Sequence, residues 1–292
     1  MRELSSLKTR EINMSAYIFD GRRFAKEKEL ELKDKVTKLE AHGIVPKLVA
    51  ILVGDDEASK LYISLKKKAA ERVGINFEII HLDKSDDTAI VQLIEQCNKD
   101  TSIHGILVQL PLPGSLDTKE TTSRIVNSIT PEKDVDGLTD TSTYTAATVK
   151  GVMYALREAQ SENFLPKKLT DVNICVAGGT GIVGSSLIKV LSPECEKISI
   201  INSKTINPGE ITRQADLLIS VVGIPNLITK DMVKPGVVVI DVGSPKGDVA
   251  ENVREVASFI TPVPGGIGPM TVVCLLENTI ETTEKLKLTY SQ

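Results

Sequence analysis

Short apolar runs alternate with longer amphipathic segments along most of this chain. Residues 47–53 are almost entirely apolar and end at Gly54, a pattern typical of a buried strand. Residues 59–73 have helical character and stop at Gly74, where a glycine commonly ends a helix. A strand, a helix and a strand follow at residues 76–82, 87–99 and 105–110. This half therefore predicts an α/β unit with a parallel sheet covered by helices.

The same alternation begins again near Asp171. Further strands are predicted at residues 172–177, 197–201, 217–222 and 237–242, with a helix at 182–191 after the first of them. This pattern indicates a second, Rossmann-like unit, with ligands beyond the carboxyl ends of its strands. We place the boundary near Gly151: residues 1–150 with a final helix at about 272–292 form one domain, and residues 151–271 form the other.

Composition narrows the class of protein. The 292 residues suffice for two domains, and 35 basic against 39 acidic residues do not suggest a nucleic-acid or anionic-membrane binder. No apolar run is long enough to span a bilayer. Four cysteines without a CxxC pair fit free thiols in the cytoplasm, and three scattered histidines predict no metal site. Residues 1–13 lack the apolar middle segment of a secretory signal peptide. They fit a disordered leader, and Met14 is an alternative start of the protein.

A glycine-rich segment joins the strand at 172–177 to the next helix. Its residues are Gly178, Gly179, Thr180, Gly181, Ile182, Val183 and Gly184. Glycines let the backbone approach a pyrophosphate, and the helix N-terminus offers unpaired N–H groups, so we predict a dinucleotide site. The alternative is a plain strand–helix turn.

The following strand ends without the acidic residue that often binds the ribose of NAD. It carries Ser203, Lys204 and Thr205 instead, which favours the 2′-phosphate of NADP; a solvated turn is the alternative. Gly223, at the end of a later strand, completes the predicted cofactor site.

Catalytic candidates lie in the first half. Tyr62 and Lys66 are four residues apart and share one helix face, while Gln109 ends a strand where its amide could hold the lysine. Asp134 and Asp136 lie on a predicted turn beyond the sheet. Each has a simpler interpretation, since a run of lysines is usually a solvated face, and spacing alone does not show that they converge.

Residues 261–271 contain three prolines and three glycines. We expect them to form a rigid loop, neither helix nor central strand, that approaches a flat ligand and leads into a buried helix. An ordinary turn is the alternative.

Four segments together resemble the methylenetetrahydrofolate dehydrogenase/cyclohydrolase family of the bacterial FolD type. They are residues 62–66, 108–113, 133–137 and 264–271, which occur in the family's order. The similarity extends from about Ile18 to Thr282.

The resemblance implies two reactions of one-carbon metabolism: oxidation of 5,10-methylenetetrahydrofolate with NADP, and hydrolysis of the methenyl product to 10-formyltetrahydrofolate. It also implies a homodimer formed through the second sheet. By resemblance, Lys66 assists proton transfer, Tyr62 stacks on folate, Gln109 orients the lysine and Asp136 binds the pterin edge. Further substrate contacts are implied for Val108, Leu110, Pro264, Gly265 and Gly266.

The chain departs from the family pattern in three places. Gly179, Thr180 and Ser186 stand where the family has arginine, serine and proline. The span 137–151 is shortened, with Thr148 retained, and the turn at 243–248 is short. The missing arginine leaves NAD as an alternative cofactor in a monofunctional dehydrogenase. A third interpretation is a non-catalytic folate- or nucleotide-binding protein. The presence of both Lys66 and Gln109 argues against it, because binding alone does not require this pair.

Overall fold

The computed structural model describes residues 16–290, so the predicted leader at 1–13 and the alternative start Met14 lie outside the described residues. The elements of the first half are β1 (Tyr17–Ile18), α1 (Gly21–Glu40), β2 (Lys47–Val53), α2 (Glu57–Val73), β3 (Asn76–Leu82), α3 (Asp87–Lys99), β4 (Gly105–Val108) and α4 (Lys119–Val126). Three of its strands form a parallel sheet in the order β3-β2-β4.

The elements of the second half are α5 (Ala147–Ser161), β5 (Ile174–Ala177), α6 (Ile182–Leu191), β6 (Ile198–Ile201), α7 (Pro208–Thr212), β7 (Leu217–Ser220), β8 (Val238–Asp241), β9 (Phe259–Ile260) and α8 (Ile267–Tyr290). Its strands and β1 form a parallel sheet of six strands in the order β1-β9-β8-β7-β5-β6. The central strands are wholly buried, because helices cover both faces of such a sheet. The α/β class predicted from the apolar runs is confirmed.

Contacts cross between the two halves at both ends of the chain. β1 pairs with β9, so the N-terminal strand belongs to the second sheet. Helix α8 packs against α1, α2 and α5. Gly151 lies inside α5, where an added Cβ would stand 3.1 Å from the Cβ of Met270, so glycine allows the close approach of α5 to α8. The division of the chain near Gly151 stays a prediction.

One prediction about the proline- and glycine-rich segment is wrong in part. Helix α8 begins at Ile267 rather than at about Val272, so the last residues of the segment are helical. Pro269 is tolerated there because N–H groups of the first helical turn have no partner within the helix. Residues 261–266 form the predicted loop.

The predicted free thiols are confirmed. Cys97, Cys175 and Cys274 are buried, and Cys195 is half-buried. Burial raises the pKa of Cys175 to about 11 and that of Cys274, near Glu277, to about 12. Among residues 16–290, no helix is both long and apolar enough to cross a membrane.

Candidate active site

A cavity of about 430 Å³ lies between the helices of the first half and the strand ends of the second. Helix α1 contributes Arg22, Ala25 and Glu29, and α2 contributes Tyr62, Leu65, Lys66, Ala69 and Arg72. The opposite wall consists of residues 241–245 and 262–265, which follow β8 and β9, with Thr148 and the first turns of α8. The cavity therefore lies beyond the carboxyl ends of these strands, where the sequence predicts a ligand.

The structure brings Lys66 and Gln109 together. Helix α2 begins where the Asp56 carboxylate accepts a hydrogen bond from the Ser59 N–H at 2.7 Å, and it ends at the left-handed Gly74. Lys66 is 6% exposed, and its Nζ donates to Oε1 of Gln109 at 3.1 Å. The amide of Gln109 also donates to the Leu110 carbonyl at 2.6 Å, which holds its oxygen toward the lysine. The lysine is thus buried and held by a neutral partner, unlike a lysine on a solvated face.

The turn that carries Asp136 is held by two buried charged neighbours. Lys133 donates to three backbone carbonyls, those of Cys97, Asn98 and Asp100, at 2.7–3.0 Å. The Asp134 carboxylate accepts hydrogen bonds from the backbone N–H groups of Gly137, Leu138 and Thr139 at 2.8–3.3 Å. Lys133 and Asp134 therefore fold the turn, and the half-buried Asp136 is left to act in the site. Burial raises the pKa of Asp136, while the ammonium of Lys66 opposes the rise.

Asn278 fixes this turn from the far side. It lies on α8, is fully buried, and donates through Nδ2 to the carbonyls of Val135 at 2.8 Å and Thr145 at 3.2 Å. The local sequence pattern does not indicate this role, because an asparagine inside an apolar helix shows no sign of its partners.

A hydrogen bond between Tyr62 and Ser244 joins the two walls of the cavity. The Tyr62 hydroxyl bonds to Oγ of Ser244, which lies in the short turn after β8. That turn is folded around Asp241, whose carboxylate accepts from the N–H groups of Gly243, Asp248 and Val249 at 2.8–3.1 Å. Burial raises the pKa of Asp241 despite these hydrogen bonds. Ser244 and Arg22 are cavity residues that the sequence analysis did not select.

The loop after β9 places Pro264 and Gly265 in the cavity wall. Gly265 has φ +109°, a conformation that glycine adopts without strain. Gly266 packs away from the cavity, against the start of α1, where a Cβ on Gly21 would stand 1.9 Å from the Gly266 carbonyl oxygen. The loop and α1 are thus locked together by two glycines.

The predicted dinucleotide loop forms a tight cradle between β5 and α6. A Cβ on Gly184 would stand 2.3 Å from the carbonyl oxygen of Gly178, so only glycine lets α6 start this close to the loop. Within the described part of the chain no side chain caps α6, whose first residues Ile182 and Val183 follow Gly181. These features suit a phosphate, since the first N–H groups of the helix have no partner within it.

Gly179 is packed against two isoleucines. A Cβ there would stand 2.8 Å from Ile200 and 2.9 Å from Ile188, so a longer side chain such as arginine would have to displace both. The turn after β6 is held by Asn202, whose side-chain oxygen accepts from the Lys204 N–H at 2.9 Å, and by the Thr205 hydroxyl, which accepts from the Asn202 N–H at 2.9 Å.

Ser203 and Lys204 are exposed, and neither side chain has a hydrogen bond or ion pair within residues 16–290. They are available to a ligand at the end of β6. Gly223, with φ +77°, lies just beyond the end of β7, and no atom of the described residues would stand within 4 Å of a Cβ there.

The predicted residues thus fall into three groups. Tyr62, Lys66, Pro264 and Gly265 line the cavity. Gln109 contacts Lys66 and Asp136 faces it, but neither lines the cavity. Val108 and Leu110 flank Gln109 in the sequence and do not line the cavity either. The cofactor residues 178–184, 203–205 and 223 lie outside the cavity, at the ends of β5, β6 and β7.

A separate acidic cluster lies on the surface. Asp55, His81 and Asp83 place ligand atoms within 4.8 Å of one another, and all three are exposed. Asp55 is paired with Lys60 at 2.9 Å, and His81 Nε2 contacts the Gly54 carbonyl at 2.9 Å. The absence of a functional metal stays a prediction.

Comparison with known proteins identifies both halves. Residues 19–136 match the family model described as "Tetrahydrofolate dehydrogenase/cyclohydrolase, catalytic domain", and residues 146–287 match that of the family's NAD(P)-binding domain. Bifunctional protein FolD of Exiguobacterium sibiricum is 41% identical over 286 residues, covering 92% of this chain and 100% of that relative. The FolD of Bacillus subtilis is 38% identical, covering 93% and 99%.

Solved structures agree with this assignment. The bifunctional FolD enzyme of Campylobacter jejuni superposes with a TM-score of 0.83 at 37% identity, covering 93% of this chain and 100% of that one. The FolD of Trypanosoma brucei, complexed with NADP and an inhibitor, has a TM-score of 0.84 at 30% identity and covers 94% and 99%. The two matched domains, the extent of these similarities and the paired lysine and glutamine show that the chain belongs to the tetrahydrofolate dehydrogenase/cyclohydrolase family.

Proposed function

We propose that this protein oxidises 5,10-methylenetetrahydrofolate to the methenyl cation with NADP, and hydrolyses that cation to 10-formyltetrahydrofolate. The observation that carries the proposal is the buried hydrogen bond from Lys66 to Gln109 at 3.1 Å, in the wall of a cavity that both halves of the chain line. A protein that only bound folate would not need a buried ammonium held in this way, because burying a charge costs free energy. Family relatives named as bifunctional FolD enzymes support the same assignment.

The first reaction requires positioning more than acid–base chemistry. The methylene carbon loses a hydride, and the positive charge that remains is shared by the two folate nitrogens that flank it. When bound, NADP supplies the hydride acceptor. Tyr62 and the loop at Pro264 and Gly265, on opposite walls of the cavity, hold the folate in place, and the Asp136 carboxyl binds the pterin edge.

The second reaction requires proton transfer. Water adds to the methenyl carbon and loses a proton, which gives a neutral carbinol. The carbinol hydroxyl loses its proton as the carbonyl forms and one carbon–nitrogen bond breaks, and the freed nitrogen takes up a proton, so that one proton is released overall. Lys66 is the group placed to move these protons, and the neutral amide of Gln109 holds its Nζ in position.

The residues of the second half fit NADP. The cradle at Gly178 and Gly184 with the uncapped start of α6 suits the pyrophosphate, and Ser203 and Lys204 suit the 2′-phosphate. Lys204 thereby takes the part that an arginine at position 179 would play. Measuring reduction of NADP and of NAD in parallel tests this assignment: preference for NAD would contradict it.

Substitution of Lys66 tests the catalytic proposal. Lys66→Met keeps much of the packing volume and removes the ammonium, so the cyclohydrolase rate should fall by about 10²-fold or more, the usual contribution of a proton-transfer group. Dehydrogenase activity should fall far less, because hydride transfer does not use the ammonium as an acid or base.

The matched control is Lys68→Met, on the exposed side of the same helix, which should keep both activities. Equal retention of both activities in Lys66→Met would contradict the role assigned to the lysine.

We further propose a cytoplasmic homodimer formed through the second sheet. The free thiols support the location. Strand β6 supports the dimer, because it is an edge strand and Ile200 is 41% exposed on it. Light scattering should give twice the mass of one chain, and Ile200→Lys should shift the protein toward monomer; a monomeric wild type would contradict the proposal.

A further inference from the structure

The mouth of the cavity carries an arginine that the proposed chemistry does not use. Arg22 is exposed on the first turn of α1 and lines the cavity. Its Nε lies 3.4 Å from the point where a Cβ would stand on Gly265, so the guanidinium lies beside the proline- and glycine-rich loop. Within residues 16–290 it has no ion pair and no side-chain hydrogen bond.

The other charged side chains that line the cavity already have partners. Arg72 forms two hydrogen bonds with the Glu29 carboxylate, at 2.6 and 2.8 Å. Lys66 donates to Gln109, and Asp241 accepts backbone N–H groups. Of the charged groups in this part of the described chain, Arg22 is therefore the one left to pair with an anionic ligand.

The depth of the site sets the direction in which a folate enters. Lys66 and Gln109 are only 6% and 9% exposed, so the reacting nitrogens must approach the deep side of the cavity. A tetrahydrofolate carries its carboxylates at the end opposite the pterin, on the glutamyl tail. With the pterin deep, these carboxylates lie at the mouth, where Arg22 is exposed.

We propose that Arg22 binds the carboxylates of the first glutamate of the folate substrate, an inference that rests on the proposed function. A guanidinium matches a carboxylate through two parallel hydrogen bonds, which a lysine does not reproduce. The contact is made equally before and during the reaction, so it contributes to binding and not to the rate of the bound complex.

The test compares two substrates in the cyclohydrolase assay, which needs no nucleotide. One is 5,10-methenyltetrahydrofolate with one glutamate, and the other is the corresponding tetrahydropteroate, which lacks the glutamate. Arg22→Gln should raise the KM for the glutamate-bearing substrate about fivefold, as expected for a solvent-exposed charge pair, with kcat unchanged. The KM for the pteroate should stay at the wild-type value, and Arg22→Lys should recover part of the affinity.

Arg23→Gln is the matched control. Arg23 follows on the same helix turn but pairs with Glu27 at 3.2 Å and lies over the Phe24 ring, outside the cavity lining. It should leave both KM values unchanged. An unchanged KM in Arg22→Gln, or an equal rise for both substrates, would overturn the role of Arg22 while leaving the proposed function intact. A wild type that turns over neither substrate would overturn the proposed function itself.

Discussion

The cradle at the start of α6 makes a sharp prediction for Gly184→Ala. The added Cβ would stand 2.3 Å from the Gly178 carbonyl oxygen and 2.7 Å from the Gly179 Cα, whereas ordinary contact begins at 3.4 Å. Both obstacles are backbone atoms and cannot rotate away. The loop and the helix must therefore separate by about 1 Å, which moves the N–H groups proposed to bind the pyrophosphate.

The change in the free energy of unfolding caused by Gly184→Ala is the sum of two opposing effects. Alanine stabilises a helix by about 1 kcal/mol relative to glycine, while overpacking costs about 1–3 kcal/mol. The net loss of stability is small enough for the protein to fold. A loss of about 1.4 kcal/mol in nucleotide binding corresponds to a tenfold change, so the KM for NADP should rise about tenfold or more.

The two activities provide the assay. NADP reduction should show the raised KM, while cyclohydrolase activity, which needs no nucleotide, should stay near that of the wild type. Ser185→Ala is the matched control, because Ser185 is the next residue of the same helix, is exposed and is not among the residues proposed to bind the cofactor. An unchanged KM for NADP in Gly184→Ala, or equal losses in both variants, would refute the proposed cradle.

Three further outcomes are expected. Asn278→Leu should lower the free energy of unfolding by about 2 kcal/mol in urea titrations, because the buried Val135 carbonyl loses its donor. Because burial raises the pKa of Asp136, ionisation of this carboxyl lowers the free energy of unfolding as the pH rises above about 4. Asp136→Asn cannot ionise, so its free energy of unfolding should increase relative to that of the wild type between pH 4 and pH 7. In the native protein, a thiol reagent should modify Cys195 before Cys274, which is fully buried.

For each of these three predictions, one experimental result would contradict it. An unchanged urea midpoint for Asn278→Leu would show that the turn does not depend on α8. A difference between Asp136→Asn and wild type that is constant with pH would show that the carboxyl titrates normally. Faster modification of Cys274 than of Cys195 would contradict the packing of α8.

Much of the fold follows from local pattern. The bounds of β2, β3, α3 and α6 agree with the predicted ranges, because each is a complete apolar or amphipathic run with its own end signals. At the end of α2, the predicted stop at Gly74 has the expected left-handed conformation. The strands β4, β7 and β8 end one or two residues before their predicted ends, and β5, β6 and β8 begin one or two residues after their predicted starts, because pairing with neighbours, and not hydrophobicity, sets the bounds of a strand.

Other elements depend on partners far along the chain. β1 is two residues long and exists because it pairs with β9, some 240 residues later, so no local pattern could predict it. The early start of α8 likewise depends on where the loop at 261–266 docks against Gly21.

For the site, the sequence by itself determined the residue types and their order: a lysine one helical turn after a tyrosine, a strand ending in glutamine, a glycine-rich turn before a helix. Only the tertiary structure decided that Lys66 is buried against Gln109, that Ser244 reaches Tyr62, and that Arg22 has no ion pair within residues 16–290 at the cavity mouth. The physical reason is that periodicity and capping act over a few residues, whereas burial and the pairing of charges are set by segments that meet only after the chain has folded.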